Sequence, residues 1–543
     1  MAAENLFDQI FMPERSTRIA VIYEHRKITY EELQALTLET AEAIHALAIQ
    51  PGDRVAILLN DSPEFIASFV AIISLGAVAV PINTALPAKE QLFILKNCGA
   101  RAAIVEAKLT KPLFLETAPS PELRDVLIVR RDGDSSVTST NSVNTHEFAN
   151  AGRAHLREFP VNDGEAQQDG AFPRGRAGTS RIRDAFILYT SGSTGEPKGA
   201  VHSQADIFYT NETYCREVLD LHEGERLFSS SRLPFAYGLG NAFTFPLLNG
   251  HTTVLCREKP SSEVIARVFA EYRPTIFFAV PVVYRMLLEH HHSISPLDTS
   301  GLRLCISAGE ALPAHLGEEW QRTFSVEVLD GIGSTEMLHM FMSNHAGEVR
   351  YGSSGKLLRS YEAKLIDQEG ATTTQGEVGN LWIRGGSAAS YYWEQPETSA
   401  QTFVDGWVRT GDLYRQDADG FWWHMGRSDD CFKPTGQWVS PVEVEGVLVR
   451  SDKVRAAAVV EGFDKDGLSC VCAFVVGANE NSSEEIIEQS LQELCEESLP
   501  RFKRPRRYIF VSDLPYTATG KVQRFKLREQ LKRPISNVQR PMS

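Results

Sequence analysis

Tyr189-Thr190-Ser191-Gly192-Ser193-Thr194-Gly195-Glu196-Pro197-Lys198-Gly199 follows a short apolar run, Ala185 to Leu188, that reads as a buried strand. Small hydroxyl residues alternate with glycines, and a lysine stands near the end. Glycines let backbone N–H groups approach an anion closely, hydroxyls add donors, and the lysine supplies a point charge. The pattern is a cradle for a polyphosphate. It is not a Walker A loop, because Lys198 lacks the glycine before it and the Ser/Thr after it. A flexible Gly/Ser linker has no use for Pro-Lys-Gly or for a preceding buried strand.

Outward from this loop the chain alternates strands and helices. Thr29-x-x-Glu32 is a capping box opening a helix that carries Leu33, Leu36, Ile44 and Leu47 on or near one face. Pro51-Gly52 ends it, and Val55 to Leu59 reads as a strand. Phe65 to Ile82 is long and nearly uncharged, but Gly76 and Pro81 interrupt it. A buried helix running into a strand, Val78 to Ile82, fits better than a membrane span. Residues 131–180 are rich in Ser, Thr, Asn, Gly and Asp, and read as a surface excursion with one short helix around His146 to Arg157.

From Asp184 the alternation resumes, with strands at Thr252 to Leu255, Thr275 to Val280 and Leu302 to Ser307 and helices at Val264 to Tyr272 and Val282 to His290. After Tyr361 shorter strands with turn signals follow: Ala363 to Ile366, Gly379 to Ile383 and Phe421 to Met425. A boundary falls near Gly426-Arg427-Ser428-Asp429-Asp430. Beyond it, Val454 to Glu461, Ser469 to Val476, the helix Ser483 to Leu499 and Tyr508 to Val511 form a compact α+β set. The expected fold is α/β: a large N-terminal domain (1–427) with parallel-rich sheets and a β-rich subdomain, then a small mobile α+β domain (428–543).

The net charge of −15 argues against a nucleic-acid or anionic-membrane surface, so an anionic ligand must be held by local features. The N-terminus shows no signal-peptide pattern. None of the eight cysteines forms a C-x-x-C pair, and no His stands at zinc spacing, which fits a reducing, cytoplasmic setting. Cys470 and Cys472 would share one strand face.

Further polar clusters stand after strands: Ser307-Ala308-Gly309-Glu310-Ala311, Asp330-Gly331-Ile332-Gly333-Ser334-Thr335-Glu336, Thr410-Gly411-Asp412, the Gly426 to Asp430 segment and Thr517-Ala518-Thr519-Gly520-Lys521. Each alone could be a turn. In this order and spacing the chain, from about Thr29 to Arg524, resembles the ANL superfamily of adenylate-forming enzymes. Phe235-Ala236-Tyr237-Gly238-Leu239-Gly240-Asn241, Ser307 to Pro313 and Asp330 to His339 resemble the benzoate-CoA and 2-aminobenzoate-CoA ligase group. Ile332 replaces the family's usual Tyr, as in the aryl subgroup. Leu357 follows Gly355-Lys356 where proline is common, and Gln204 stands where many members have His.

The resemblance implies two half-reactions. A carboxylate attacks the α-phosphorus of ATP to give an acyl-adenylate and pyrophosphate; a thiol then displaces AMP. By resemblance, Lys521 bridges the carboxylate and the α-phosphate, Thr335 donates to that phosphate, and Glu336 holds Mg²⁺. Thr190, Ser191, Gly192, Ser193, Thr194, Gly195 and Lys198 cradle phosphates. Gly309, Glu310, Asp330, Gly331 and Ile332 meet the adenine side, and Asp412 with Arg427 the ribose. Asp429 matches the hinge about which the small domain turns, and Gly436 and Trp438 would then face coenzyme A. Phe235, Ala236, Tyr237, Gly238, Ala308, Gly333 and His339 outline a short, flat acid pocket. His339 lies one helical turn past Glu336 if Met337-Leu338 are helical, and is either a pocket residue or a hydrogen-bonded core histidine.

The basic run Arg501 to Arg507 is a site near coenzyme A phosphates or a solvated face. The expectation is an ATP- and Mg²⁺-dependent aryl-CoA ligase for benzoate or a small substituted benzoate. The alternative is an aryl-adenylating enzyme loading a separate acyl carrier protein. Its partners would be an aromatic acid, ATP and CoA, with no nucleic acid or membrane, in a monomer or homodimer.

Overall fold

In the computed structural model, residues 5–110, 113, 122–129, 144–148, 184–190, 196–434, 437–464, 467–478, 483–516 and 522–532 are described. Two large sheets carry the N-terminal part. One has eight strands in the order Tyr391–Tyr392, Lys198–His202, Phe186–Thr190, Val78–Pro81, Arg54–Leu58, Ala102–Glu106, Asp125–Val129 and Asn144–Phe148. From Phe186–Thr190 onward these strands are parallel; the first two pair antiparallel. The strand expected at Ala185 to Leu188 is therefore present, displaced by a residue or two. The excursion differs from expectation at one end: Asn144–Phe148 is an edge strand beside Asp125–Val129, where a helix from His146 was expected. Residues 149–157 of that expected helix lie outside the described residues.

The second sheet has nine strands, with Val328–Gly333, Leu304–Ser307, Ile276–Ala279, Arg226–Ser229, Thr252–Leu255 and Ile19–Tyr23 parallel in its middle. The helix Pro63–Ser74 joins the two sheets. Ser62 caps it, accepting from Phe65 N, Pro63 occupies the first turn, and all twelve of its residues are buried. Phe69 shows why: its ring centroid lies 5.4 Å from Phe186 of the first sheet and 5.5 Å from Phe243, beside the second. Each such side chain contributes about 1.5–3 kcal/mol by leaving water. The uncharged run from Phe65 is thus interior, and among the described residues no helix is long and apolar enough to cross a membrane. Thr29 and Glu32 close their expected capping box, with Thr29 N donating to Glu32 Oε2 at 2.7 Å and Glu32 N to Thr29 Oγ1 at 3.2 Å.

An antiparallel five-stranded sheet forms the β-rich subdomain, built on Glu362–Ile366, Gly379–Arg384, Trp407–Gln416 and Trp422–Arg427 with a short strand at Phe403–Val404. The last part of the chain is a three-stranded sheet, Val454–Phe463, Ser469–Gly477 and Arg507–Phe510, with helices Pro441–Leu448, Glu484–Ser498 and Arg524–Lys532. All eight cysteines are free, and Cys470 and Cys472 share a strand face with their sulfurs 3.8 Å apart.

Candidate active site

The clusters that follow Leu304–Ser307 and Val328–Gly333 stand at the C-terminal ends of parallel strands, the position at which open α/β sheets bind ligands. Thr190 ends one strand and pairs with Lys198, which starts the next. Ser191, Gly192, Ser193, Thr194 and Gly195 between them lie outside the described residues, as do Gly436 and Lys521. Lys198 Nζ stands 5.5 Å from the ring centroid of Tyr392, on the strand paired with its own. That same tyrosine donates from its hydroxyl to Glu336 Oε1 at 2.6 Å. Tyr392 thus lies between the loop lysine and the carboxylate expected to hold a metal. Nothing in its sequence surroundings, Ser390-Tyr391-Tyr392-Trp393, distinguishes it from core aromatics.

The segment after Val328–Gly333 is not a helix, contrary to the spacing argument for His339. Met337 N reaches Ser334 O at 3.3 Å, Leu338 N reaches Thr335 O at 3.1 Å, and His339 N reaches Met337 O at 2.7 Å. Leu338 sits at φ 62°, a left-handed conformation that bulky side chains rarely take. The result is a tight double turn that brings Thr335 and Glu336 out and sends His339 in. Ala389 N fixes the Glu336 carbonyl at 2.7 Å, and Ser387 Oγ the Met337 carbonyl at 2.9 Å.

His339 is buried among aromatic rings, with centroids 4.6 Å from Tyr214, 4.7 Å from Phe245 and 5.7 Å from Tyr237. Neither of its ring nitrogens has a hydrogen-bond partner. Burial pushes its pKa down to about 3, so the ring is neutral at physiological pH. A narrow gap lies against it, lined by Ile207, Thr210, Ala236, Leu239, Gly240, Thr244 and Leu338. Of the expected pocket residues, Ala236 and His339 line this space. Phe235 caps the short helix Ala236–Leu239, and Tyr237 anchors the wall by donating from its hydroxyl to Ile306 O at 3.1 Å. Gly238, buried, belongs to that helix and not to the lining. Thr210 and Thr244, and the π-helical turns Asn211–Leu219 and Gly240–Thr244 beside them, had no signal in the sequence. Gln204 does not line the pocket: it accepts from Leu6 N at 3.1 Å, tying down the N-terminal helix.

On the nucleotide side, Ser307 and Asp330 are register partners on adjacent strands, so Ala308, Gly309 and Glu310 leave the sheet beside Gly331 and Ile332. Asp330 is buried; its Oδ2 accepts from Leu312 N at 3.2 Å, and its Oδ1 has no partner. Burial raises its pKa to about 8, against the lowering effect of the Leu312 amide. A carboxyl kept protonated in this way can both donate and accept. Gly333 ends the strand against Met340.

The β-rich subdomain supplies the other wall. Asp412 and Arg427 are register partners on Trp407–Gln416 and Trp422–Arg427, 3.4 Å apart. Gly411, at φ 74°, permits this, since a Cβ there would stand 2.7 Å from Arg427 Nη2. Burial works against the charge of Arg427, but the carboxylates of Asp412, Asp429 and Glu336 outweigh it and its pKa is raised. Four groups expected at the site thus face one another electrostatically. Asp429 is exposed. Its neighbour Asp430 accepts from Arg528 at 2.9 Å and lies 3.5 Å from Arg524, which also forks onto Glu445 at 2.7 and 2.9 Å. Trp438 packs under Lys433, whose Nζ is 4.4 Å from the ring centroid.

The basic run is largely consumed locally. Lys503 pairs with Glu443, Arg504 donates to Leu499 O and Glu496 O, Arg506 pairs with Asp464, and Arg507 donates to Phe463 O.

Residues 11–393 match the AMP-binding enzyme family, and residues 443–521 match the AMP-binding enzyme C-terminal domain. The benzoate–CoA ligase of Thauera aromatica is 38% identical over 531 residues, covering 97% of this chain and 95% of that one. An anthranilate CoA ligase, AuaEII, solved with anthranoyl-AMP, superposes with a TM-score of 0.85 at 34% identity over 98% of both chains. A benzoate CoA ligase from Burkholderia xenovorans LB400 superposes with a TM-score of 0.81 at 37% identity, covering 97% of this chain and 100% of that one.

Proposed function

Since the chain belongs to the AMP-binding enzyme family and is an acid–thiol ligase of the aryl-CoA kind, we propose that its acid is benzoate or a small substituted benzoate such as 2-aminobenzoate. The observation that carries this is the aromatic surround of the buried His339, beside Ala236 and Gly240. The names of the relatives point the same way.

In the first half-reaction two anions must meet, so the site needs positive charge between the carboxylate and the α-phosphate. Lys521 takes that role in this reading. The loop Thr190 to Lys198 holds the β- and γ-phosphates with backbone N–H groups and the Lys198 charge. Thr335 donates to the α-phosphate. Glu336 suits Mg²⁺, a hard cation, because its carboxylate is oriented by Tyr392 and can be completed by phosphate oxygens; the ion would neutralise phosphate charge. Asp330, with its unpartnered buried oxygen, meets the adenine in this reading. Asp412, aligned by Arg427, accepts from the ribose hydroxyls.

For the second half-reaction, residues 428–543 turn as a unit about Asp429, withdrawing Lys521 and bringing Gly436 and Trp438 toward the pantetheine arm. The Arg524 bridge from Asp430 to Glu445 favours such rigid movement. The reaction runs in the cytoplasm, where free cysteines persist.

The test is a panel of specificity constants for benzoate, 2-aminobenzoate, 4-hydroxybenzoate, cinnamate, acetate and palmitate. A hydrophobic pocket gains only about 1–3 kcal/mol per methylene-sized change, so the benzoates should fall within a few hundred-fold of each other. Acetate or palmitate above all the benzoates would overturn the assignment of the acid.

A further inference from the structure

His202 closes the strand Lys198–His202 and is completely buried. Its Nδ1 lies 2.9 Å from Asp206 Oδ2, and its Nε2 lies 2.8 Å from the carbonyl oxygen of Thr335. Asp206 also accepts from Ser203 N at 3.1 Å and Ser203 Oγ at 2.8 Å, as the third residue of a helix-opening capping box. Both ring nitrogens are therefore engaged, Nδ1 with the Asp206 carboxyl and Nε2 with the Thr335 carbonyl. Phe186 stacks on it with centroids 5.2 Å apart and planes at 17°.

A His–Asp pair at a site suggests a general base, but this one has no free nitrogen and no exposed surface. Its Nε2 is spent on a backbone carbonyl. That carbonyl belongs to the double turn that presents Thr335 and Glu336, and it also accepts from Leu338 N at 3.1 Å. Leu338, at φ 62°, is the centre of a three-residue turn closed by His339 N and Met337 O, a strained form for a branched side chain. Strain of this kind persists only where surrounding contacts over-determine it.

We propose that the hydrogen-bonded His202–Asp206 pair is a positioning device for adenylation: it clamps the Thr335 carbonyl, holds the strained turn, and so fixes Thr335 and Glu336 relative to the strand that leaves the phosphate loop. The proposal rests on the reading that Thr335 and Glu336 meet Mg·ATP. His202 touches neither substrate nor metal, and acts through the turn.

The test compares His202→Ala with His202→Gln, whose amide can still donate to the Thr335 carbonyl. Binding of α,β-methylene-ATP is measured by calorimetry with and without Mg²⁺. Benzoate-dependent ATP–pyrophosphate exchange, thioester formation from supplied benzoyl-AMP, and the Tm accompany it. His202→Ala should weaken Mg²⁺-dependent analogue binding about tenfold and slow exchange on the order of 10–100-fold, the usual cost of losing an outer support. Thioester formation should change less than about threefold, and His202→Gln should recover part of both losses. Unchanged analogue binding in both variants overturns the proposal. So does an equal fall of both half-reactions together with a lowered Tm, which would mark His202 as a core residue only. Should the wild type show no exchange with any aryl acid, the substrate reading fails while the binding measurement still decides the role of His202.

Discussion

Gly240 is the residue that makes room for His339: a Cβ there would stand 2.6 Å from His339 Cδ2 and 2.9 Å from Nε2. The imidazole cannot retreat, because Tyr214, Phe245 and Tyr237 surround it. Gly240→Ala should therefore push the ring into the pocket it lines. We expect kcat/KM for benzoate to fall on the order of 10–100-fold with KM for ATP nearly unchanged. A Tm scan should show only the modest loss typical of overpacking. Equal losses toward acid and nucleotide would count against a dedicated acid pocket.

Asp330 predicts a pH signature. Its pKa rises from an ordinary value of 3.8 to about 8 because it is buried. Below about pH 4 the carboxyl is protonated in both folded and unfolded chains. Between about pH 4 and 8 only the unfolded chain loses the proton, so stability drops as pH rises through this window and then levels off. Asp330→Asn has no proton to lose. The Tm of the variant minus that of the wild type should climb from pH 4 to 8 and flatten beyond. A flat difference throughout would mean that the folded carboxyl ionises normally.

Tyr392→Phe removes one hydroxyl and leaves the ring under Lys198. Partners that orient a metal-binding carboxylate are commonly worth 10–100-fold. The Mg²⁺ concentration giving half-maximal pyrophosphate exchange should rise about tenfold, with KM for benzoate unaltered. An unshifted Mg²⁺ curve would separate Tyr392 from the metal.

Asp429→Pro fixes φ and removes a backbone donor at the position read as the pivot. One half-reaction should survive while the overall rate collapses. Normal progress of both would place the pivot elsewhere.

The sheet strands and the buried helix Pro63–Ser74 were legible because apolar runs bounded by Gly and Pro carry that information locally. Asp412, Arg427, Glu336 and Thr335 were legible as a resemblance, through ordered motifs. What escaped were contacts made by folding alone. Tyr392 stands 56 residues from Glu336, and His202 stands 133 from Thr335. The helix assumed for Met337-Leu338 failed for a local reason: the strained turn at Leu338 is imposed from outside, and leucine itself gives no hint of φ above zero. The strand at Asn144–Phe148 sits within a polar stretch whose composition masked it.

The strand Tyr391–Tyr392 has a consequence for the birth of the enzyme. It covers the open side of Lys198–His202, yet the chain builds most of the second sheet before returning to it. At a translation speed of 5–20 residues per second, that edge stays bare for roughly 10–40 s on the ribosome. During that interval a run of unpaired backbone, Lys198-Gly199-Ala200-Val201-His202, is open to pairing with another nascent chain. The yield of active protein should therefore depend on how crowded the polysome is, well before any question of catalysis arises.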